Sequence, residues 1–113
     1  MSISPSGANK FLVRGFKNRQ KMKNHWKDHS LQYLGFTEEQ YEERAVSLIE
    51  SPVDDNVLGH MDKDGVIVRY DKSANDFVKG HPLKGIFTMF KPETGIKYYF
   101  GQKEEDIKNG GSE

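Results

Sequence analysis

The amino-acid sequence reads as an α+β domain in which two N-terminal helices pack on a four- to five-stranded antiparallel sheet. Apolar residues recur at three- and four-residue spacings as far as Ile49, and beyond Asp54-Asp55 the apolar period changes to two. The later β-rich runs are separated by turns too short for parallel crossovers, so neighbouring strands must run antiparallel. Helices followed by a run of strands belong to the α+β class.

The chain has 113 residues, enough for one domain and one core. Residues 1–15 read as a flexible lead-in because Met1 to Asn9 is rich in Ser, Gly and Pro; residues 16–102 form the folded domain. From about Phe16 to His29 no Pro or Gly intervenes, and Met22, His25, Trp26 and His29 share one side of a basic helix. Gly35 ends that region. Thr37 can then cap the amide of Gln40 while Gln40 reaches back, Phe36 can staple onto Tyr41, and Tyr41, Ala45, Leu48 and Ile49 form the apolar stripe of a second helix, which Ser51-Pro52 stops. Strands follow at Val57–Met61, Val66–Tyr70, Phe77–Lys79, Ile86–Phe90 and Ile96–Phe100, parted by turn sequences such as Asp62-Lys63-Asp64-Gly65 and His81-Pro82-Leu83-Lys84-Gly85. The tail at 103–113, ending Asn109-Gly110-Gly111-Ser112-Glu113, is expected to fray.

Composition narrows the chemistry. With no cysteine, disulfides and thiolate sites are excluded. No apolar run approaches a membrane span, and nothing at the amino end reads as a signal peptide, so export would depend on a larger carrier. The formal net charge of zero hides an asymmetry. Residues 1–30 hold seven cations against Asp28, a balance of +6, whereas residues 31–56 hold Arg44 against seven acids, a balance of -6. That split permits a basic face for phosphates; it equally describes two solvated helix faces.

Several side chains could do chemistry. His25 and His29 lie one helical turn apart and can meet over a shared substrate or metal. The sequence His-Trp-Lys-Asp-His lacks the glutamate of a zinc-protease helix, which disfavours a metal, although His60 or His81 could supply a third ligand. Arg69, Lys91 and Lys97 are cations in predicted strands, where a rigid frame can aim them at a phosphate. Thr88 adds a hydroxyl, but strict alternation sends Thr88 and Lys91 to opposite faces unless a bulge intervenes. Of Tyr98 and Tyr99 one should be core and the other free to stack on a base or donate to a phosphate. Packing roles would account for each of these residues singly. Together they suit RNA cleavage, in which the 2′-OH is the nucleophile and the protein supplies a base, an acid and cations.

The order His-Trp-x-x-His, Val-x-Arg-Tyr-Asp, Asn-x-Phe, Gly85-Ile86-Phe87-Thr88 and Phe90-Lys91-Pro92 with Tyr98 resembles the toxin domains at the carboxyl ends of bacterial polymorphic and contact-dependent inhibition proteins. These belong to the superfamily uniting barnase, EndoU, colicin D and RelE. The resemblance runs from about Lys21 to Tyr99, and order along the chain is its specific part. It implies a helix packed on an antiparallel sheet and a metal-independent endoribonuclease without cofactor, often a tRNase, leaving a 2′,3′-cyclic phosphate. It also implies a cognate immunity protein, a monomer or toxin–immunity heterodimer, and secretion within a larger bacterial protein for delivery to the target-cell cytoplasm. The positions it carries over are His25 or His29 as acid/base, Arg69 and Lys91 as phosphate cations, Thr88 as a hydrogen-bonding residue and Tyr98 as a stacking or donor residue. Val78-Lys79-Gly80-His81-Pro82-Leu83-Lys84 departs from the pattern in being bulkier and more basic, which bears on substrate choice. The competing reading is a non-catalytic RNA- or protein-binding module of a phage or secretion system.

Overall fold

A computed structural model describes residues 3–113, in the order α1 (Arg19–His29), a 3-10 turn (Ser30–Gln32), α2 (Glu38–Glu50), β1 (Val57–Met61), β2 (Ile67–Asp71), β3 (Asp76–His81), β4 (Gly85–Phe90) and α3 (Ile96–Lys108). Local chemistry sets the helix starts. The Asn18 side chain accepts the Lys21 amide at 2.7 Å, and Thr37 and Gln40 close a reciprocal capping box at the head of α2. The four strands form an antiparallel meander ordered β1-β2-β3-β4. Its turns are held by short acids: Asp62 accepts the amides of Asp64 and Val66, and Asp71 accepts that of Ala74.

Both faces of the sheet are covered. On one, Ile67, Val78, Ile86 and Met89 meet the α2 stripe of Tyr41, Ala45, Leu48 and Ile49, with Met22 and Trp26 of α1 joining them. On the other, Val68, Tyr70 and Phe77 pack with Tyr99 of α3, flanked by Leu58, Phe90 and Tyr98. β2 is therefore buried along its whole length, which accounts for its unbroken apolar spelling around Arg69.

The α+β class, the two N-terminal helices and the antiparallel sheet follow the sequence reading, and three segments differ from it. The expected fifth strand, Ile96–Phe100, is the first part of helix α3. Its β-branched and aromatic residues favour strands locally, but Tyr99 is buried and Gln102, Lys103 and Asp106 are partly covered, a three- and four-residue spacing that docks one helical face on the sheet. The expected frayed tail continues α3 to Lys108 and returns to the sheet, where Ser112 and Met61 exchange backbone hydrogen bonds at 2.8 Å. The expected flexible lead-in packs as a strap, apart from Met1 and Ser2, which lie outside the described residues. Asn9 and Phe11 are buried, and Gly15 and Lys17 pair with Ile86 along the outer edge of β4. Gly85 permits that approach: it has φ +97, and a Cβ there would stand 2.6 Å from the Gly15 carbonyl oxygen.

Candidate functional site

The strap covers the outer edge of β4 only as far as Ile86. Beyond it, α1 leans on the edge and brings two histidines to it. The β3–β4 ladder pairs Gly80 with Ile86 and Lys79 with Thr88, leaving Phe87 without a partner in a bulge. The Phe87 carbonyl accepts a hydrogen bond from His25 Nε2 at 2.6 Å. Because a carbonyl can only accept, this bond places the His25 proton on Nε2 and leaves Nδ1 as the lone pair. Burial lowers the His25 pKa first, and repulsion from His29 and Lys21 adds to it, so the imidazole is neutral at pH 7. His29 lies 6.0 Å away, ring to ring, and stacks on Phe90 at 5.5 Å.

Phe90 links the histidines to α3, since Tyr98 meets it edge-on at 5.4 Å and meets Phe77 at 4.9 Å. Thr88, two residues before Phe90, shares its face, and Lys79 stands opposite Thr88 across the ladder. Thr88, Lys79 and Tyr98 are all half-buried, their polar ends open to solvent. An open cleft of about 540 Å³ adjoins this group between Gln32, Phe90, Lys91 and Tyr98. A second open cleft of about 550 Å³ lies on the outer side of α2, but Glu39, Glu42, Glu43 and Glu50 line it and would repel a phosphate.

Of the six residues expected to form a site, His29 and Tyr98 contact Phe90, Thr88 shares the face of Phe90 two residues earlier, and His25 meets the same strand at the Phe87 carbonyl. Lys91 borders the same cleft from the other face: its ammonium bonds the Ala74 carbonyl and Asp76 Oδ1, both at 2.8 Å, and rests 4.7 Å from the centre of the Tyr33 ring. The alternation that separates Thr88 from Lys91 therefore holds, because the bulge precedes Thr88 and cannot re-aim Lys91.

Arg69 is placed elsewhere, and its expected role as a phosphate cation does not fit its surroundings. It is wholly buried, and its guanidinium donates to the carbonyls of Ser51, Pro5, Gly7 and Val68, each at 2.9 Å. Burial lowers its pKa to about 10, which still leaves it charged at neutral pH. It is a buried clamp for the strap. Lys97 is exposed on α3.

Neither conceivable third metal ligand joins His25 and His29. His60 is buried between Tyr99 and Asp106, and His81 accepts the Leu83 amide in its own turn.

Two residues of the site were missed. Lys79 had a signal in the matched alternation of Phe77 and Lys79 with Phe90 and Thr88. Gln32 had none: its side-chain amide donates to the Lys91 carbonyl at 2.9 Å and accepts the Lys91 amide at 3.0 Å, standing in for a fifth strand. The 3-10 turn that follows the histidine helix is thereby fastened to the end of β4.

Fold and site together define a small α+β domain with paired histidines at the edge of an antiparallel sheet. No family model matches the chain, and no curated protein matches it.

Proposed function

We propose that the domain is a metal-independent endoribonuclease of the bacterial toxin type, with tRNA as the preferred substrate class. The observation that carries this reading is the His25–His29 pair, in which the Phe87 carbonyl takes His25 Nε2 and leaves His25 Nδ1 free, on the strand that carries Thr88 opposite Lys79, with Tyr98 across Phe90. His25 Nδ1 removes the proton of a ribose 2′-OH, the 2′-oxygen attacks phosphorus, and the bond to the 5′-oxygen breaks. His29 gives a proton to that leaving oxygen, and a 2′,3′-cyclic phosphate remains. Lys79 and the Thr88 hydroxyl offset charge on the phosphate, and Tyr98 with Phe90 provides a stacking surface for a base. Lys91 contributes from the cleft rim with the ammonium proton that Ala74 and Asp76 leave free.

In this reading a larger secreted protein delivers the domain to the cytoplasm of a target cell, and a cognate immunity protein protects the producer. The test is incubation of the purified domain with tRNA in EDTA. Cleavage to cyclic-phosphate ends is expected, with none when the target nucleotide is 2′-deoxy. Activity that needs added divalent metal would sink the mechanism. RNA binding without cleavage, unchanged in a His25→Ala/His29→Ala protein, would establish a binding module instead.

A further inference from the structure

At the Gly85 end of β4, exposed apolar side chains stand together. Leu12 is 69% exposed, Leu83 53% and Val13 37%. The Leu12 amide donates to the Pro82 carbonyl at 2.9 Å, which sets Leu12 beside the turn that presents Leu83. Val13 lies against Gly85, where an added Cβ would stand 2.9 Å from its Cγ1. Pro82 and Gly85 are themselves buried, so these side chains rest on a fixed base and cannot fold inward. Lys10, Lys17 and Lys84, all exposed, flank these residues along the chain, and the Lys17 amide nitrogen lies 3.2 Å from where a Cβ at Gly85 would stand. Arg14 is spoken for by Glu50 at 2.8 Å. Of the acids in the neighbouring β1–β2 turn, Asp62 is turned onto backbone amides and Asp64 is exposed.

We infer that this patch docks the domain on an anionic lipid bilayer. Aliphatic tips flanked by lysines match a membrane interface, where the tips enter the headgroup boundary and each lysine near the surface strengthens partition about fivefold. RNA matches less well, because leucine and valine offer a base no stacking platform. The other exposed leucines, Leu31 and Leu34 at 84% and 81%, are followed by Glu38 and Glu39, which such a surface repels. The cleft beside Phe90 and Pro92 lies about 20 Å along the strand and stays clear of a bilayer held at Leu83. The inference does not depend on the ribonuclease reading.

The experiment is sedimentation of the whole chain with phosphatidylcholine vesicles, with and without phosphatidylglycerol. Binding is expected only to the anionic vesicles, and it should weaken with salt as the Debye length falls from about 10 Å at 0.1 M to about 3 Å at 1 M. Leu12→Ser/Leu83→Ser should abolish it with an unchanged melting temperature, and Lys84→Gln should weaken it about fivefold. Should the leucine pair disturb folding, Lys10→Gln/Lys17→Gln/Lys84→Gln provides the same test at exposed positions. The inference is overturned by no binding, by equal binding to neutral vesicles, or by binding that ignores the leucines. It is also overturned if the leucines mediate self-association in solution.

Discussion

The two embedded histidine groups differ in one respect that separates packing from chemistry. His60 is wholly buried; its Nε2 proton goes to Asp106 at 2.8 Å, and its Nδ1 faces the Tyr99 hydroxyl at 3.0 Å. Since a carboxylate only accepts, the remaining nitrogen of His60 must receive the tyrosine proton, and the imidazole has nothing left to offer a ligand. His25 is half-buried, spends one nitrogen on a carbonyl and keeps the other, with His29 one turn away. A buried ring with both nitrogens engaged is a fastener; a half-buried ring with one engaged is oriented and still available.

The largest effect should come from breaking the available pair. His25→Ala/His29→Ala should lower RNA cleavage about 10²- to 10⁴-fold while the fold persists, which cleavage rates and a melting curve will show together. His60→Ala should do the reverse. It strands the buried Tyr99 hydroxyl and unfastens Asp106, and should cost about 2–4 kcal/mol by urea denaturation. If His60→Ala lost activity without losing stability, the contrast between the two groups would collapse.

Acid titration sharpens the same contrast with a smaller effect. Burial lowers the His60 pKa foremost, Asp106 opposes that shift, and Lys103 and Arg69 add to it; the net direction is down. His25 is also lowered. On acidification the unfolded chain therefore takes these protons first, so stability present above about pH 6.5 declines as pH falls through the lowered native values. Stability followed between pH 7.5 and 5 should fall, and the slope should lessen in His60→Asn and in His25→Asn proteins. A slope unchanged in His60→Asn would mean that the ring does not titrate between these states.

The parts of the fold legible in the sequence are those set by neighbours along the chain. The α2 capping box, its stripe and the four strands all depend on contacts within a few residues or on a simple period. The strap, α3 and the role of Arg69 depend on distant partners. The strap is held by carbonyls of Pro5 and Gly7 that any residue would supply, and the clamp that binds them comes from the middle of the sheet. An arginine interrupting an apolar strand looks alike whether it faces a ligand or a buried backbone. At the site, helix and strand periods put His25 and His29 on one side of α1 and Thr88 on the face of Phe90, whereas Tyr98 reaches Phe90 from helix α3 and not from the expected fifth strand. Lys91 was harder to place, since Asp76 belongs to a strand whose register no local pattern reveals.

Gln32 provides the finest division between fastening and chemistry, because it is exposed and yet joins the two halves of the site. Its two bonds to the Lys91 backbone stitch the 3-10 turn, which begins immediately after His29, to the strand end where the cleft opens. Gln32→Ala removes both bonds from a solvated position, so its stability cost should be about 1 kcal/mol. A looser turn lets His29 drift from Phe90, and small misplacements are costly only when proton transfer requires alignment. Turnover should therefore fall about tenfold, with little change in the substrate concentration for half-maximal rate. Gln32→Glu keeps the acceptor for the Lys91 amide but sets an anion against the Lys91 carbonyl, so it should restore only part of the rate. Unchanged turnover in Gln32→Ala would show that Phe90 alone aligns His29.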